Sequence, residues 1–126
     1  MPVLGVGIDI VPASRVDQLL SRHGERALAR LFTSGERERA AALVDASLHL
    51  AARIAAKEAA YKALSGDGRA NGVGWLDLEV TRHADGRPSM AFHGAARRRL
   101  TELGATRCHL SLTHAGGVAA AVVILE

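Results

Sequence analysis

The chain has 126 residues, of which 48% are hydrophobic and 23% charged, a composition that indicates one globular domain and excludes a disordered chain. Its net charge of +3 favours an anionic partner, such as an acidic protein or a phosphorylated small molecule. Nucleic acid is disfavoured, because no run of basic residues is interleaved with the few aromatic ones, which are Phe32, Tyr61, Trp75 and Phe92.

The single cysteine, Cys108, excludes an internal disulfide and a multi-cysteine zinc site. The N-terminus lacks a basic segment, and Asp9 interrupts its apolar stretch, so no signal peptide is expected. No run approaches the roughly 18 apolar residues of a membrane-spanning helix. We therefore expect a cytoplasmic protein that does not enter a membrane.

The first half of the chain reads as one strand followed by helices. The β-branched run at residues 3–11 is typical of a buried strand. Two short helices should follow, at residues 14–20 with Ser14 as N-cap and at residues 26–32. A third should open with a capping box of Thr33 and Glu36, and Ser47 should cap a long helix that ends at Gly66.

The second half begins with a glycine-rich loop at residues 65–74 and then becomes strand-like. The pattern predicts a hairpin of residues 75–83 and 87–93 turning at Asp85–Gly86, a helix over 95–103, and a final hairpin of 107–114 and 118–125. This order predicts a single α+β domain over residues 1–126, with a mainly antiparallel sheet packed against the long helix.

Two acidic residues stand in unusual positions. On the first strand Asp9 should share a face with Gly5 and Gly7, where the missing side chains leave space for another segment or a ligand. Asp9 could equally cap a turn or pair with an arginine. Glu58 lies on the alanine-rich flank of the long helix, which something could approach closely. If Glu58 formed only an ordinary helix pair with Lys62, that pair would stabilise the helix by no more than about 0.2–0.5 kcal/mol.

The bulky core face of that helix is expected to consist of Leu50, Ile54, Tyr61 and Leu64. Together, Asp9 and Glu58 could hold magnesium, which takes carboxylate oxygens and completes its shell with water and phosphate. Three cations of the helix could meet phosphate charge, namely Arg53, Lys57 and Lys62.

Other basic residues are open to two interpretations. A lone histidine such as His114, at the end of the penultimate strand, is more often structural than catalytic. If residues 14–32 were broadly helical, one side would carry a row of arginines, which could dock an acidic helix or simply face solvent: Arg15, Arg22, Arg26 and Arg30.

The ordered motifs resemble those of the holo-acyl-carrier-protein synthases, the stand-alone type of 4′-phosphopantetheinyl transferase. They comprise GVGIDIV with Arg15, LFTSGE, AARIAAKEAAYKAL, NGVGWLDLEV, DGRP and LSLTHAGGVAAAVVILE, and they cover essentially the whole chain. A single copy of the motifs argues against the double-length branch of the superfamily. Two positions depart from many relatives, with Thr113 in place of serine and Ala115 in place of an acidic residue.

The resemblance implies the 4′-phosphopantetheinyl transferase fold and a magnesium-dependent enzyme that moves the phosphopantetheine arm of coenzyme A to a serine of acyl carrier protein. It also implies a homotrimer with active sites at the subunit interfaces. By match to the motifs, the metal ligands are Asp9 and Glu58, which with Lys62 form the catalytic set. Residues implied near the cofactor are Arg53, Lys62, Gly86, Arg87, Pro88 and His114, and those for the carrier protein are Arg15, Arg22 and Arg26.

Two other functions stay open at this point. A non-catalytic module could hold an acidic protein or nucleic acid on its arginine face, which explains the charge but not Asp9, Glu58 and Lys62. A coenzyme A-dependent acyl transferase would release free coenzyme A as a product.

Overall fold

A computed structural model describes residues 2–66 and 70–126. In chain order its elements are β1 (Gly5–Pro12), α1 (Ala13–His23), α2 (Glu25–Leu31), α3 (Ser34–Ala41), α4 (Ser47–Ser65), a 3₁₀ turn (Trp75–Asp77), β2 (Leu78–Arg82), β3 (Pro88–Phe92), α5 (Gly94–Leu103), β4 (Cys108–Ala115) and β5 (Val118–Leu125). The predicted order of helices and strands is confirmed, but the strand predicted to begin at residue 75 begins at Leu78, because residues 75–77 form the 3₁₀ turn. Part of the predicted loop, residues 67–69, lies outside the described residues.

The strands form two antiparallel sheets. One has the order β1-β5-β4 and the other is the β2-β3 hairpin, which confirms the α+β class with a mainly antiparallel sheet. In the larger sheet Asp9 is in register with Ala121 of β5, which is in turn in register with Leu112 of β4. Asp9 therefore faces the same side as the core residues of β5.

Helix α4 crosses that side of the sheet and is buried along most of its length. The space left by the two glycines of β1 is filled by the backbone of this helix. A Cβ atom on Gly7 would lie 1.7 Å from the carbonyl oxygen of Ala59, and one on Gly5 would lie 2.1 Å from that of Ala63. Glycine and alanine thus let the strand and the helix approach closely, which sets the distance between the side chains that they carry.

Several local predictions need correction. Helix α1 begins after Pro12, so Ser14 is not its N-cap, and Ser47 is the first residue of α4 rather than its cap. Tyr61 is 43% exposed instead of belonging to the core face, because its side of α4 borders a cavity. The capping box of Thr33 and Glu36 is confirmed.

Strand β1 is buried on one face only. Its other face presents Val6, Ile8 and Ile10, each about 60% exposed. The prediction of a buried strand therefore holds for only one face in this chain alone, since α4 covers only the glycine-bearing face. Within the ranges described, no helix combines the length and the apolar character that crossing a membrane requires.

Candidate active site

Two predicted site residues meet where β1 lies against α4. The ammonium of Lys62 lies 3.1 Å from Oδ1 of Asp9, and it also donates a hydrogen bond of 3.0 Å to the carbonyl of Ile8. The lysine side chain is about half exposed, whereas that of Asp9 is largely buried. A fixed cation therefore stands beside a carboxylate at the edge of the solvent.

Glu58 reaches the same place from one turn earlier on α4. Its Oε1 accepts a hydrogen bond of 2.9 Å from Arg15, which comes from α1. Arg15 was predicted to contact a partner protein, and the structure places it at the edge of the carboxylate site as well. Its side chain is still 44% exposed, so it can also be reached from outside.

The two carboxylates perturb each other. Burial alone would raise the pKa of Asp9, but the interactions with Glu58 and with the charge of Lys62 outweigh burial and hold that pKa below its usual value. Burial and the neighbouring Asp9 raise the pKa of Glu58, and Arg15 only partly opposes this. Of the two groups, Glu58 is consequently the more ready to hold a proton.

The donor set fits a divalent cation. Oδ2 of Asp9 is buried and has no hydrogen-bond partner among residues 2–66 and 70–126, so it is an acceptor whose need the described protein does not meet. A second carboxylate, that of Glu58, lies next to it. The described part of the chain holds no cluster of three or more metal-ligating side chains. Such a site suits magnesium, which relies on water and phosphate for its remaining ligands.

A cavity of about 360 Å³ opens beside these residues. Glu58 and Lys62 stand on its wall with an apolar and aromatic lining that the sequence did not reveal: Tyr61, Val73, Trp75 and Leu78. The loop and 3₁₀ turn after α4 supply much of this lining, and no regular spacing of residues in the sequence predicts that these residues share a surface. An elongated ligand with a charged end and an apolar body would match this distribution of charged and apolar lining residues.

Lys57 borders the cavity but does not expose its charge to it. Its side chain has no exposed surface, and its ammonium lies 2.7 Å from Oε1 of Glu36. The prediction that it meets phosphate is not supported, since the packing of α3 and of the 3₁₀ turn against α4 encloses it. Burial lowers the pKa of Lys57, and the carboxylate of Glu36 opposes that change.

Arg53 belongs to a separate basic cluster on the side of α4 that faces β2. It is 5% exposed, and its Nη2 has no hydrogen-bond partner among the described residues. Burial together with the nearby Arg82 and Arg39 lowers the pKa of Arg53 to about 10. Burial and the positive charge of Arg53 also lower the pKa of His49 to about 4. The cluster is an excess of positive charge that an anion would relieve.

The remaining predicted cofactor residues do not line the cavity beside Glu58. Gly86 turns the β2-β3 hairpin with φ of 90°, and Arg87 is paired with Asp85 at 2.8 Å. With Pro88, Arg87 borders a second cavity of about 300 Å³. His114 is exposed at the end of β4, in register with Ala119. One chain therefore brings together Asp9, Glu58 and Lys62 but not the other cofactor residues.

The arginine row is divided. Gly24, with φ of 54°, ends α1 and precedes α2, so the assumption of one continuous helix is wrong. Arg22 lies in the last turn of α1 and Arg26 in α2, and both are exposed.

The single cysteine, Cys108, is not suited to covalent chemistry, because burial raises the pKa of its thiol to about 11.

Comparison with known proteins identifies the class. A family model described as the 4′-phosphopantetheinyl transferase superfamily matches residues 5–123, and the chain belongs to that superfamily. It is 47% identical over 124 residues to the holo-[acyl-carrier-protein] synthase of Koribacter versatilis, with 98% of each chain covered. The chain is therefore an enzyme of the holo-[acyl-carrier-protein] synthase type.

Solved structures agree with this family. The crystal structure of the holo-[acyl-carrier-protein] synthase from Neisseria meningitidis superimposes with a TM-score of 0.89 at 29% identity, covering 99% of both chains. That of the Helicobacter pylori enzyme in complex with coenzyme A gives a TM-score of 0.81 at 26% identity, covering 96% of this chain and 99% of the other.

Proposed function

We propose that the chain transfers the 4′-phosphopantetheine arm of coenzyme A to a serine of apo-acyl carrier protein, with magnesium, and releases adenosine 3′,5′-bisphosphate. Its place would be the cytoplasm, in fatty-acid or polyketide biosynthesis, as a single domain over residues 1–126. The observation that carries the proposal is the buried Oδ2 of Asp9, which has no hydrogen-bond partner in the described part of the chain and stands beside Glu58 and Lys62 of the cavity wall. The coenzyme A complex of a relative supports the choice of substrate.

Asp9 and Glu58 would hold the magnesium ion. When bound, magnesium offsets the negative charge that develops on the transferred phosphate. Lys62 adds a fixed cation, which Asp9 and the carbonyl of Ile8 already orient. The lysine cation would thus already be oriented for phosphoryl transfer before the substrates bind.

The serine hydroxyl of the carrier must lose a proton as its oxygen bonds to the β-phosphate and the bond to adenosine bisphosphate breaks. Glu58 is the first candidate for the base and Asp9 the second. The raised pKa of Glu58 favours it, because a base whose pKa lies closer to neutrality accepts a proton more readily. A lowered pKa makes Asp9 the weaker base.

The apolar cavity would take the pantetheine arm. Lys62 on its wall is suited to the phosphate at one end of the arm, while Tyr61 and Trp75 offer apolar surface to the rest. This arrangement leaves the phosphate beside both carboxylates.

The nucleotide end of coenzyme A would lie against Arg53, Gly86, Arg87, Pro88 and His114. Because these residues do not line the cavity of the same chain, an active site shared between copies is the economical arrangement. The exposed face of Val6, Ile8 and Ile10 supports association with further copies, since so much apolar surface is costly in water. We propose the homotrimer on this basis.

The acidic carrier protein would dock on the arginines of α1 and α2. Arg22 and Arg26 are exposed there, and Arg15 joins this surface to the site through its bond to Glu58. Electrostatic attraction of this kind speeds association.

Chromatography of the nucleotides after incubation with apo-carrier, coenzyme A and magnesium tests the reaction class. We expect adenosine 3′,5′-bisphosphate to appear in step with the loss of coenzyme A. An acyl transferase would instead release free coenzyme A from an acyl-coenzyme A. A binding module on the arginine face would consume no nucleotide, and either result would contradict the proposal.

A further inference from the structure

Lys57 and Glu36 form a fully buried ion pair that the proposed reaction does not use. The ammonium and the carboxylate are 2.7 Å apart, with 0% and 1% of the two side chains exposed. Lys57 is on α4, directly before Glu58, and Glu36 is in the first turn of α3. Because burying two charges is costly, a pair in this position calls for a role.

The hydrogen bonds of Lys57 leave no proton for a ligand. Besides Glu36, its ammonium donates to the carbonyl of Leu31 at 2.7 Å and to that of Trp75 at 3.0 Å. These three acceptors use all three N–H bonds of a lysine. Lys57 borders the cavity, but its side chain has no exposed surface, and the charge also lies 5.4 Å from the centre of the Phe32 ring. Direct contact with phosphate is therefore excluded in this arrangement.

What the pair holds is the wall of the cavity. Trp75, whose carbonyl accepts a hydrogen bond from Lys57, is the first residue of the 3₁₀ turn. It lines the cavity together with Val73 and Gly74. Glu36 fixes the next element, because its Oε2 accepts the backbone N–H of Val80 on β2 at 2.9 Å. The turn and β2 are thus attached to the helix that carries Glu58 and Lys62.

We propose that Lys57 is a positioning residue, whose buried pair with Glu36 sets the distance between the Trp75 wall and the α4 wall of the cavity and so determines how the pantetheine arm is held. The proposal rests on the proposed function for the identity of that ligand. It predicts that loss of the pair weakens binding of coenzyme A but not of 3′,5′-ADP, which lacks the arm.

The test uses the double variant Lys57→Met with Glu36→Gln. Removing both charges avoids the isolated buried carboxylate that Lys57→Met alone would leave. Trp75 is the only tryptophan of the chain, so its fluorescence reports on this wall alone. Leu50→Ala is the matched control, because Leu50 is a core residue of α4 that does not line the cavity. Affinities for coenzyme A and for 3′,5′-ADP are measured by calorimetry, well below the melting temperature of each variant.

We expect the double variant to show red-shifted Trp75 emission and a Kd for coenzyme A raised about tenfold, with an unchanged Kd for 3′,5′-ADP. Leu50→Ala should keep the wild-type emission and both affinities. Equal loss of both ligands would mark Lys57 as a phosphate ligand and overturn the proposal. Unchanged Trp75 emission in the double variant, or no selective loss of coenzyme A affinity, would also overturn it. The same holds if Leu50→Ala behaves like the double variant. If the wild type binds no coenzyme A, the proposed function fails, whereas the emission still tests whether the pair holds the wall.

Discussion

Asp9 and Lys62 form an ion pair of 3.1 Å that joins β1 to α4. The lysine also bonds to the carbonyl of Ile8, so the cation is attached to the strand at two points. This pairing exists because the helix lies directly on the strand, where neither Gly5 nor Gly7 has a side chain to hold it away. The arrangement of the site thus depends on residues that carry no chemistry.

Gly7→Ala should destabilise the fold by about 3 kcal/mol or more, because the new Cβ would overlap the carbonyl oxygen of Ala59 and the helix would have to move. Urea unfolding measures the loss. Gly104→Ala is the control, since its φ of 76° brings strain but no described atom lies within 4 Å of the new Cβ. That variant should lose only about 1 kcal/mol. Equal losses would mean that the close approach of strand and helix is not what the glycine provides.

The sequence was informative where one local signal determines the structure. The capping box of Thr33 and Glu36 was predicted from two residue types at the right spacing, and the order of strands and helices followed from periodicity and glycines. It could not predict that the same Glu36 pairs with Lys57, because that contact joins elements 21 residues apart whose packing no local pattern encodes.

The site was predicted in the same uneven way. Asp9 and Glu58 stood out because a carboxylate on a small-residue face is unusual, whereas their grouping with Lys62 as a catalytic set was implied by the family resemblance. The structure brings the three together. The cavity lining of Val73 and Trp75 was missed, since a loop and a 3₁₀ turn have no periodicity from which to infer a face.

Arg22→Glu should lower kcat/KM for the carrier protein about tenfold and weaken its dependence on salt, because the arginine attracts an acidic partner. Affinity for coenzyme A should stay unchanged. Arg97→Glu makes the same charge change on an exposed position of α5 and serves as the control. Equal effects of the two variants would show that net charge matters and that the surface of α1 does not.

Ile8→Glu should dissociate the proposed trimer, because it places a charge in the centre of the exposed apolar face of β1. Sedimentation velocity reports the change in assembly. Val44→Glu provides the comparison, since Val44 is fully exposed in the segment between α3 and α4 and should not affect assembly. A trimer that survives Ile8→Glu would require a different interface.

His49 should make the fold less stable in acid. Its pKa is about 4 in the folded protein against an ordinary 6.5, so between these values the unfolded chain binds the proton and the folded chain does not. The unfolding free energy contributed by this group is therefore present above pH 6.5 and lost as the pH falls towards 4. His49→Gln should flatten that slope in urea unfolding between pH 7 and pH 5. A variant with the wild-type slope would exclude His49 as its cause.

Intact mass spectrometry of an apo-acyl carrier protein tests the central claim most directly. After incubation with the enzyme, coenzyme A and magnesium, the carrier should gain the mass of one phosphopantetheine. The gain should be absent with a chelator, with a carrier that lacks its serine, and with Glu58→Gln enzyme, because each removes one part of the proposed chemistry. If a folded wild-type enzyme left several different carriers unmodified, the account would be contradicted and the arginine surface would be better explained as a binding module.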